Sequence, residues 1–98
     1  MDVHFELNGT IFVWDERKAH INIVQHDGIT FAHAAEAFFD PFFRLVDASR
    51  NDEARCAIIG YDSESQLLFV VHIELEDESI RIISARKASA RERKDYDS

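Results

Sequence analysis

The chain has 98 residues, 46% of them hydrophobic, with eight Phe, one Cys and a formal net charge of −8. That length suits a single domain, residues 1–98, with enough apolar side chain for one core, and the lone Cys56 excludes an internal disulfide and a cysteine-cluster metal site. No apolar run approaches the roughly 20 residues that span a bilayer, and the acidic start Met1-Asp2-Val3-His4 lacks the order of a signal peptide, so a cytoplasmic protein without membrane contact is expected.

Val3, Phe5 and Leu7 alternate with polar residues, which predicts a half-buried strand. Asn8-Gly9 then signals a tight hairpin, since both central residues of a type I′ turn need positive φ. Thr10 to Trp14 returns as the second strand. Asp15 suits an N-cap for a helix from Glu16 to His26, with Ala19, Ile23 and His26 on its apolar stripe, Val24 beside it, and Gly28 placed to end it. Thr30 caps a second helix, Phe31 to Phe39, whose stripe is Phe31, Ala34, Ala35 and Phe38 and which Asp40-Pro41 stops. Phe42 to Val46 reads as a strand and Asp47 to Glu53 as a loop. Ala54 to Tyr61 and Gln66 to Glu74 read as strands joined by the polar turn Asp62-Ser63-Glu64-Ser65. Leu67 to Val71 is apolar on both faces, which predicts a central strand, with Cys56 a buried, inert thiol in its neighbour.

After the charged turn Glu76-Asp77-Glu78 comes the most informative stretch, Ser79 to Lys87. Strict alternation puts Ile80, Ile82 and Ser84 on one face and Arg81, Ile83 and Ala85 on the other. An arginine held on a sheet needs a carboxylate or a phosphate to meet, and both readings stay open. Ser89-x-x-Glu92 is a capping box opening a short helix to about Tyr96. The order β-β-α-α-β-β-β-β-α, with short connections between strands, predicts an α+β domain built on a compact antiparallel sheet flanked by helices.

The net negative charge argues against broad nucleic-acid binding, which rests on many basic contacts to phosphates. The charge is uneven, however: residues 1–80 hold 5 basic and 16 acidic side chains, and residues 81–98 hold 6 and 3. An acidic body with a basic end suits either a compact phosphate site or a basic protein partner on the acidic face. There is no glycine-rich phosphate loop and no His-Glu-x-x-His. A metal site from His20, His26 and His33 is weighed against solvated histidines, which are the commoner arrangement, so no metal and no cofactor are expected. Phe38, Phe39, Phe42 and Phe43 could line an aromatic pocket, but phenylalanines at such spacings are usually core.

Lys18, Asn22 and His26 step by four and share one helical face. Beside Arg55, Arg81 and Arg86 they supply what metal-free RNA cleavage requires: a base for the ribose 2′-OH, an acid for the leaving 5′ oxygen, and cations for the phosphorane. A solvated helix face explains the same spacing.

The sequence resembles the BrnT family of bacterial type II toxins. The matching stretches are Phe12-Val13-Trp14-Asp15-x-x-Lys18-x-x-x-Asn22-x-x-x-His26-x-Gly28, Phe31 with the Ala-rich helix to Phe38-Phe39-Asp40, Arg55-x-x-x-Ile59-Gly60, Leu68-x-Val70-Val71, and Ile80-Arg81-Ile82-Ile83-Ser84-Ala85-Arg86-x-Ala88 with Glu92 and Tyr96. The resemblance implies a RelE-like fold, RNA as substrate, inhibition of translation, and a BrnA-like antitoxin as partner, with a homodimer or a heterotetramer with the antitoxin as possible assemblies. It implies His26 for proton transfer, Lys18 for charge neutralisation, Arg81 or Arg86 for the phosphate, and Asn22, Arg55 and Lys87 for RNA contact. The chain departs from the common family pattern at Gln25, Asp27 and Glu74-Leu75, where cations or a direct Gly are usual. A catalytically weak interaction module on the same fold, binding a basic DNA-binding partner, is the alternative. The nuclease reading expects the arginines of the Ser79–Lys87 stretch to open onto the same cleft as the His26 imidazole.

Overall fold

The computed structural model describes residues 1–49 and 51–98; Arg50, inside the expected Asp47–Glu53 loop, lies outside them. Six strands form one sheet in the order β1-β2-β6-β5-β4-β3. The elements are β1 (Asp2–Leu7), β2 (Thr10–Asp15), α1 (Glu16–Gln25), α2 (Phe31–Ala37), β3 (Arg44–Asp47), β4 (Cys56–Tyr61), β5 (Leu67–Glu74), β6 (Ile80–Lys87) and α3 (Ala90–Asp97). This is the α+β order that the sequence predicts, with β5 and β6 at the centre. One expectation changes: β2 and β6 run parallel, pairing Phe12 with Ile80 and Val13 with Arg81, so the sheet is mixed. The connection between them runs through every intervening element, which is the long crossover that a parallel pair needs.

The local signals act as their chemistry requires. Asn8 and Gly9 take positive φ and turn β1 back on β2. The Asp15 carboxylate accepts the Lys18 N–H at 3.0 Å, and the Thr30 hydroxyl accepts that of His33 at 3.1 Å, each satisfying a donor that a helix start leaves free. Ser89 and Glu92 complete a reciprocal capping box on α3. At the end of α1 both Asp27 and Gly28 are left-handed, and Gly28 N–H bonds back to Ile23 O. The left-handed residue directly after the cap is therefore Asp27, a tolerable choice because its short polar side chain suits that region.

α1 and α2 pack on one face of the sheet. The main core joins Phe12 and Trp14 of β2, Ile58 of β4, Leu68 and Val70 of β5 and Ile82 and Ala85 of β6 to Ile29, Phe31, Ala34, Ala35 and Ala37. The inward stripe of α1 is only partly the one expected: Ala19 packs on the core and His26 is half-buried. Asn22 is buried, while Ile23 and Val24 face solvent, Val24 at 75% exposure. β3 starts at Arg44 rather than Phe42, leaving Phe42 exposed, and β4 starts at Cys56 rather than Ala54. Cys56 is thus a strand-end residue and exposed, not a buried thiol, because the strand is shorter than its apolar pattern suggests.

The second face carries Ile59 of β4, Phe69, Val71 and Ile73 of β5 and their β6 partners. α3 crosses its β4 end, where the Tyr96 and Tyr61 rings meet edge to face at 5.3 Å. Strict alternation fails along β6. Val71 pairs with Ser84 and His72 with Ile82, so Ile83 is an extra residue in a bulge. Ile82 and Ala85 both reach the core as a result. Arg81, Ser84 and Arg86, opposite Ile73, Val71 and Phe69, all face away from it.

Candidate active site

The bulge decides which arginines can meet. Arg81 and Arg86 are an odd number of residues apart, and an unbroken strand would point them to opposite faces. With Ile83 inserted, both lie on the face away from α1 and α2. A cleft of about 380 Å³ opens there, lined by Asp47, Ala48, Ser49, Arg55, Phe69, Val71, Ser84 and Arg86.

Arg86 is held from three sides. Its guanidinium stacks on Phe69, 4.3 Å from the ring centroid. Its Nη1 donates to Glu92 Oε1 at 2.7 Å and to Lys87 O at 3.2 Å, and its Nη2 donates to Glu92 Oε2 at 2.8 Å. The hydrogen bond from Arg86 holds the Glu92 carboxyl below the usual carboxylate range, and Glu92 in turn raises the Arg86 pKa further. A guanidinium has five N–H groups in a fixed fork. Glu92 takes the end of that fork. The side edge, Nε–H with the second Nη2 hydrogen, has no partner among the described residues. That edge has the geometry for one more bidentate oxyanion.

Arg55 bonds Glu53 through Nη2 at 2.8 Å, and its Nε is buried with no partner among the described residues. An unmet buried donor costs about 1–3 kcal/mol, and Arg55 is the second cation that lines the cleft. Arg81 is engaged differently. Its Nη1 and Nη2 both donate to the Asp2 carboxylate, at 3.3 and 2.6 Å, which holds Asp2 below the usual range. Arg81 does not line the cleft.

The α1 candidates separate. Lys18 is exposed in the first turn. Asn22 is consumed by the scaffold: Nδ2 donates to Ala85 O at 2.8 Å and Ile29 O at 3.1 Å, and Oδ1 accepts Ala85 N–H at 3.0 Å. At 4% exposure it is not open to RNA. It completes the free edge of β6 where β2 has diverged. His26 caps the C-terminus of α1 and is half-buried. It lies one turn beyond Asn22, on the helix that Asn22 ties to Ala85, the neighbour of Arg86. His26 and Lys18 do not line the cleft, and α1 packs on the sheet face opposite Arg86, so the single cleft expected for the β6 arginines and the His26 imidazole is not what the structure shows. Lys87 is exposed at the end of β6.

Sequence reasoning paired the arginines with unnamed acids or with a phosphate; the structure gives Arg81, Arg86 and Arg55 one carboxylate each, at the surface rather than in the core. It also adds Ser84, Phe69 and Glu92 to the site. In the sequence Glu92 was legible as a helix cap and as part of the family motif, but nothing local marks it as the partner of Arg86. Among the histidines, His33 meets Asp62 and Glu64 rather than His20 or His26.

A family model described as the ribonuclease toxin, BrnT, of type II toxin-antitoxin systems matches residues 14–92. Among solved structures, the crystal structure of the Brucella abortus ribonuclease toxin, BrnT, matches with a TM-score of 0.60 at 28% sequence identity, covering 78% of this chain and 92% of that one. No curated protein matches the chain.

Proposed function

This chain belongs to the BrnT family of ribonuclease toxins of type II toxin-antitoxin systems, and from that premise we propose that it is a metal-independent endoribonuclease that seats the scissile phosphate of RNA on Arg86. The supporting observation is an Arg86 guanidinium fixed by Glu92 and Phe69 at a cleft that Arg55 also lines. Arg81 does not line that cleft, so the phosphate role falls to Arg86.

In this reading the ribose 2′-OH attacks the adjacent phosphorus and the bond to the 5′ oxygen breaks. Arg86 and Arg55 stabilise the charge that grows on the phosphorane. Proton transfer at that phosphate needs a group within hydrogen-bond reach of it, and His26, which the resemblance names for that role, does not line this cleft. Lys87, exposed at the end of β6 next to Arg86, neutralises a flanking phosphate. A basic, BrnA-like antitoxin is the proposed partner, suited to a chain of net charge −8.

Expression from a tight promoter tests this. We expect growth arrest and broken transcripts, both abolished by Arg86→Ala. Toxicity that survives Arg86→Ala contradicts the reading.

One observation favours a second reading, a catalytically weak module that binds its partner on the same fold. Each of Arg55, Arg81 and Arg86 already has a carboxylate, and RNA must compete with it. Capture of the product of the neighbouring reading frame by a protein that cuts no RNA would select this alternative.

A further inference from the structure

We propose that His33, Asp62 and Glu64 form a binding site for a first-row divalent transition cation of the zinc class, a site that shares no residue with the arginine cleft and does not depend on the nuclease reading. Three ligand atoms converge there, His33 Nδ1, Asp62 Oδ2 and Glu64 Oε1, all within 4.8 Å of one another.

Local structure places each of them. His33 sits in the first turn of α2, its N–H taken by the Thr30 hydroxyl at 3.1 Å. Asp62 opens the β4–β5 turn, and its Oδ1 accepts the N–H groups of Glu64 and Gln66, both at 2.9 Å. Its Oδ2 accepts Gln66 Nε2 at 3.1 Å and is left facing His33. The turn is fastened to α2 a second time, since Glu36 Oε1 accepts the Ser63 N–H at 3.0 Å and its hydroxyl at 2.8 Å. Helix and turn are therefore joined before any ion arrives, which lowers the cost of assembling the site.

Two observations point to a cation rather than to a simple ion pair. His33 Nδ1 lies 3.2 Å from Asp62 Oδ2 and 3.2 Å from Glu64 Oε1. A ring nitrogen carries at most one hydrogen, so it cannot serve both carboxylates with a full hydrogen bond. Ligand atoms about 2.1 Å from a shared metal, at angles of about 90° to 110°, stand about 3.0–3.4 Å apart, and both distances fall in that range. The charge balance agrees. The Asp62 side chain is fully buried, and among the described residues the ion pairs of Asp62 and Glu64 run only to His33. Asp62 already accepts three hydrogen bonds from Glu64 and Gln66, so what a cation adds is charge for two carboxylates that share one imidazole.

The donor set selects the ion. An imidazole nitrogen with two carboxylate oxygens suits zinc, cobalt, nickel or manganese, and magnesium or calcium would prefer oxygen alone. Gln66, bonded to the coordinating oxygen of Asp62, orients that ligand. His33 and Glu64 are partly exposed, so water completes the shell and the ion exchanges with solvent. A cation here staples the β4–β5 turn to α2.

The test is titration of the tag-free, chelator-treated full chain with zinc chloride by calorimetry, with thermal melts alongside. We expect one equivalent bound and a melting temperature about 5 °C or more higher at a hundredfold excess over Kd. Glu64→Gln weakens binding by about tenfold or more and His33→Ala abolishes it, and His20→Ala binds as the wild type does. Because Glu64 is exposed, Glu64→Gln decides the matter even if His33→Ala misfolds. No zinc binding, or undiminished binding by Glu64→Gln, overturns the site, and RNA cleavage is read separately.

Discussion

Asn22 does the work of a missing strand. Its carboxamide meets both backbone groups of Ala85 and the carbonyl of Ile29 inside the protein. Asn22→Ala should cost about 3 kcal/mol, because three buried polar groups lose their partner, and should lower the melting temperature by more than about 10 °C. The helical spacing of Lys18, Asn22 and His26 was legible in the sequence. The scaffold role of Asn22 was not, because Ala85 lies 63 residues away. His72 is a second buried polar residue, 2% exposed and stacked edge to face on Phe38. Burial lowers its pKa below the ordinary value of 6.5. A histidine lowered on folding contributes stability above the unfolded pKa and loses it as pH falls below that value. Between about pH 7.5 and 5.5 the wild type should therefore lose melting temperature relative to His72→Leu. A constant gap across that range would refute the assignment.

At the scale of elements, local chemistry was readable and non-local pairing was not. The Asn8-Gly9 hairpin, the Asp15 and Thr30 caps and the Ser89–Glu92 box all join residues close in sequence, and each forms as its residues predict. The parallel pairing of β2 with β6 and the Ile83 bulge depend on strands distant in the chain, and a period of two cannot reveal an inserted residue. Gly60 marks another non-local constraint. A Cβ there would lie 2.6 Å from the Ala37 carbonyl oxygen, a backbone atom at the end of α2. Gly60→Ala should destabilise the fold by about 1–3 kcal/mol in a denaturant titration. α3 is fastened through Glu92, whose carboxyl is held low mainly by its bond to Arg86. A carboxylate lowered on folding stabilises above its unfolded pKa and stops doing so as pH falls through the folded value. Glu92→Gln should erase that part of the acid sensitivity below about pH 4.5, read as a smaller loss of melting temperature than the wild type shows.

For the whole molecule, the balance of charge sets the terms on which RNA can bind. The acidic body and basic C-terminal end were plain in the composition, but which acid meets which arginine was not, since Asp2 and Arg81 stand at opposite ends of the chain. The fold follows from the core shared by the sheet with α1 and α2, and the candidate site from the opposite face, where one bulge turns Arg86 toward Arg55. Among the described residues no helix is long and apolar enough to cross a membrane. The central claim is that Arg86 seats the scissile phosphate. Its most direct test is the single-turnover cleavage rate of an RNA transcript by the purified chain in the presence of a chelator, wild type against Arg86→Ala, with melting curves to confirm that the variant is folded. The account predicts cleavage by the wild type and a rate at least about a hundredfold lower in Arg86→Ala, the cost of removing a preorganised donor from a developing oxyanion. Equal rates, or a wild type that leaves the RNA intact, would contradict it.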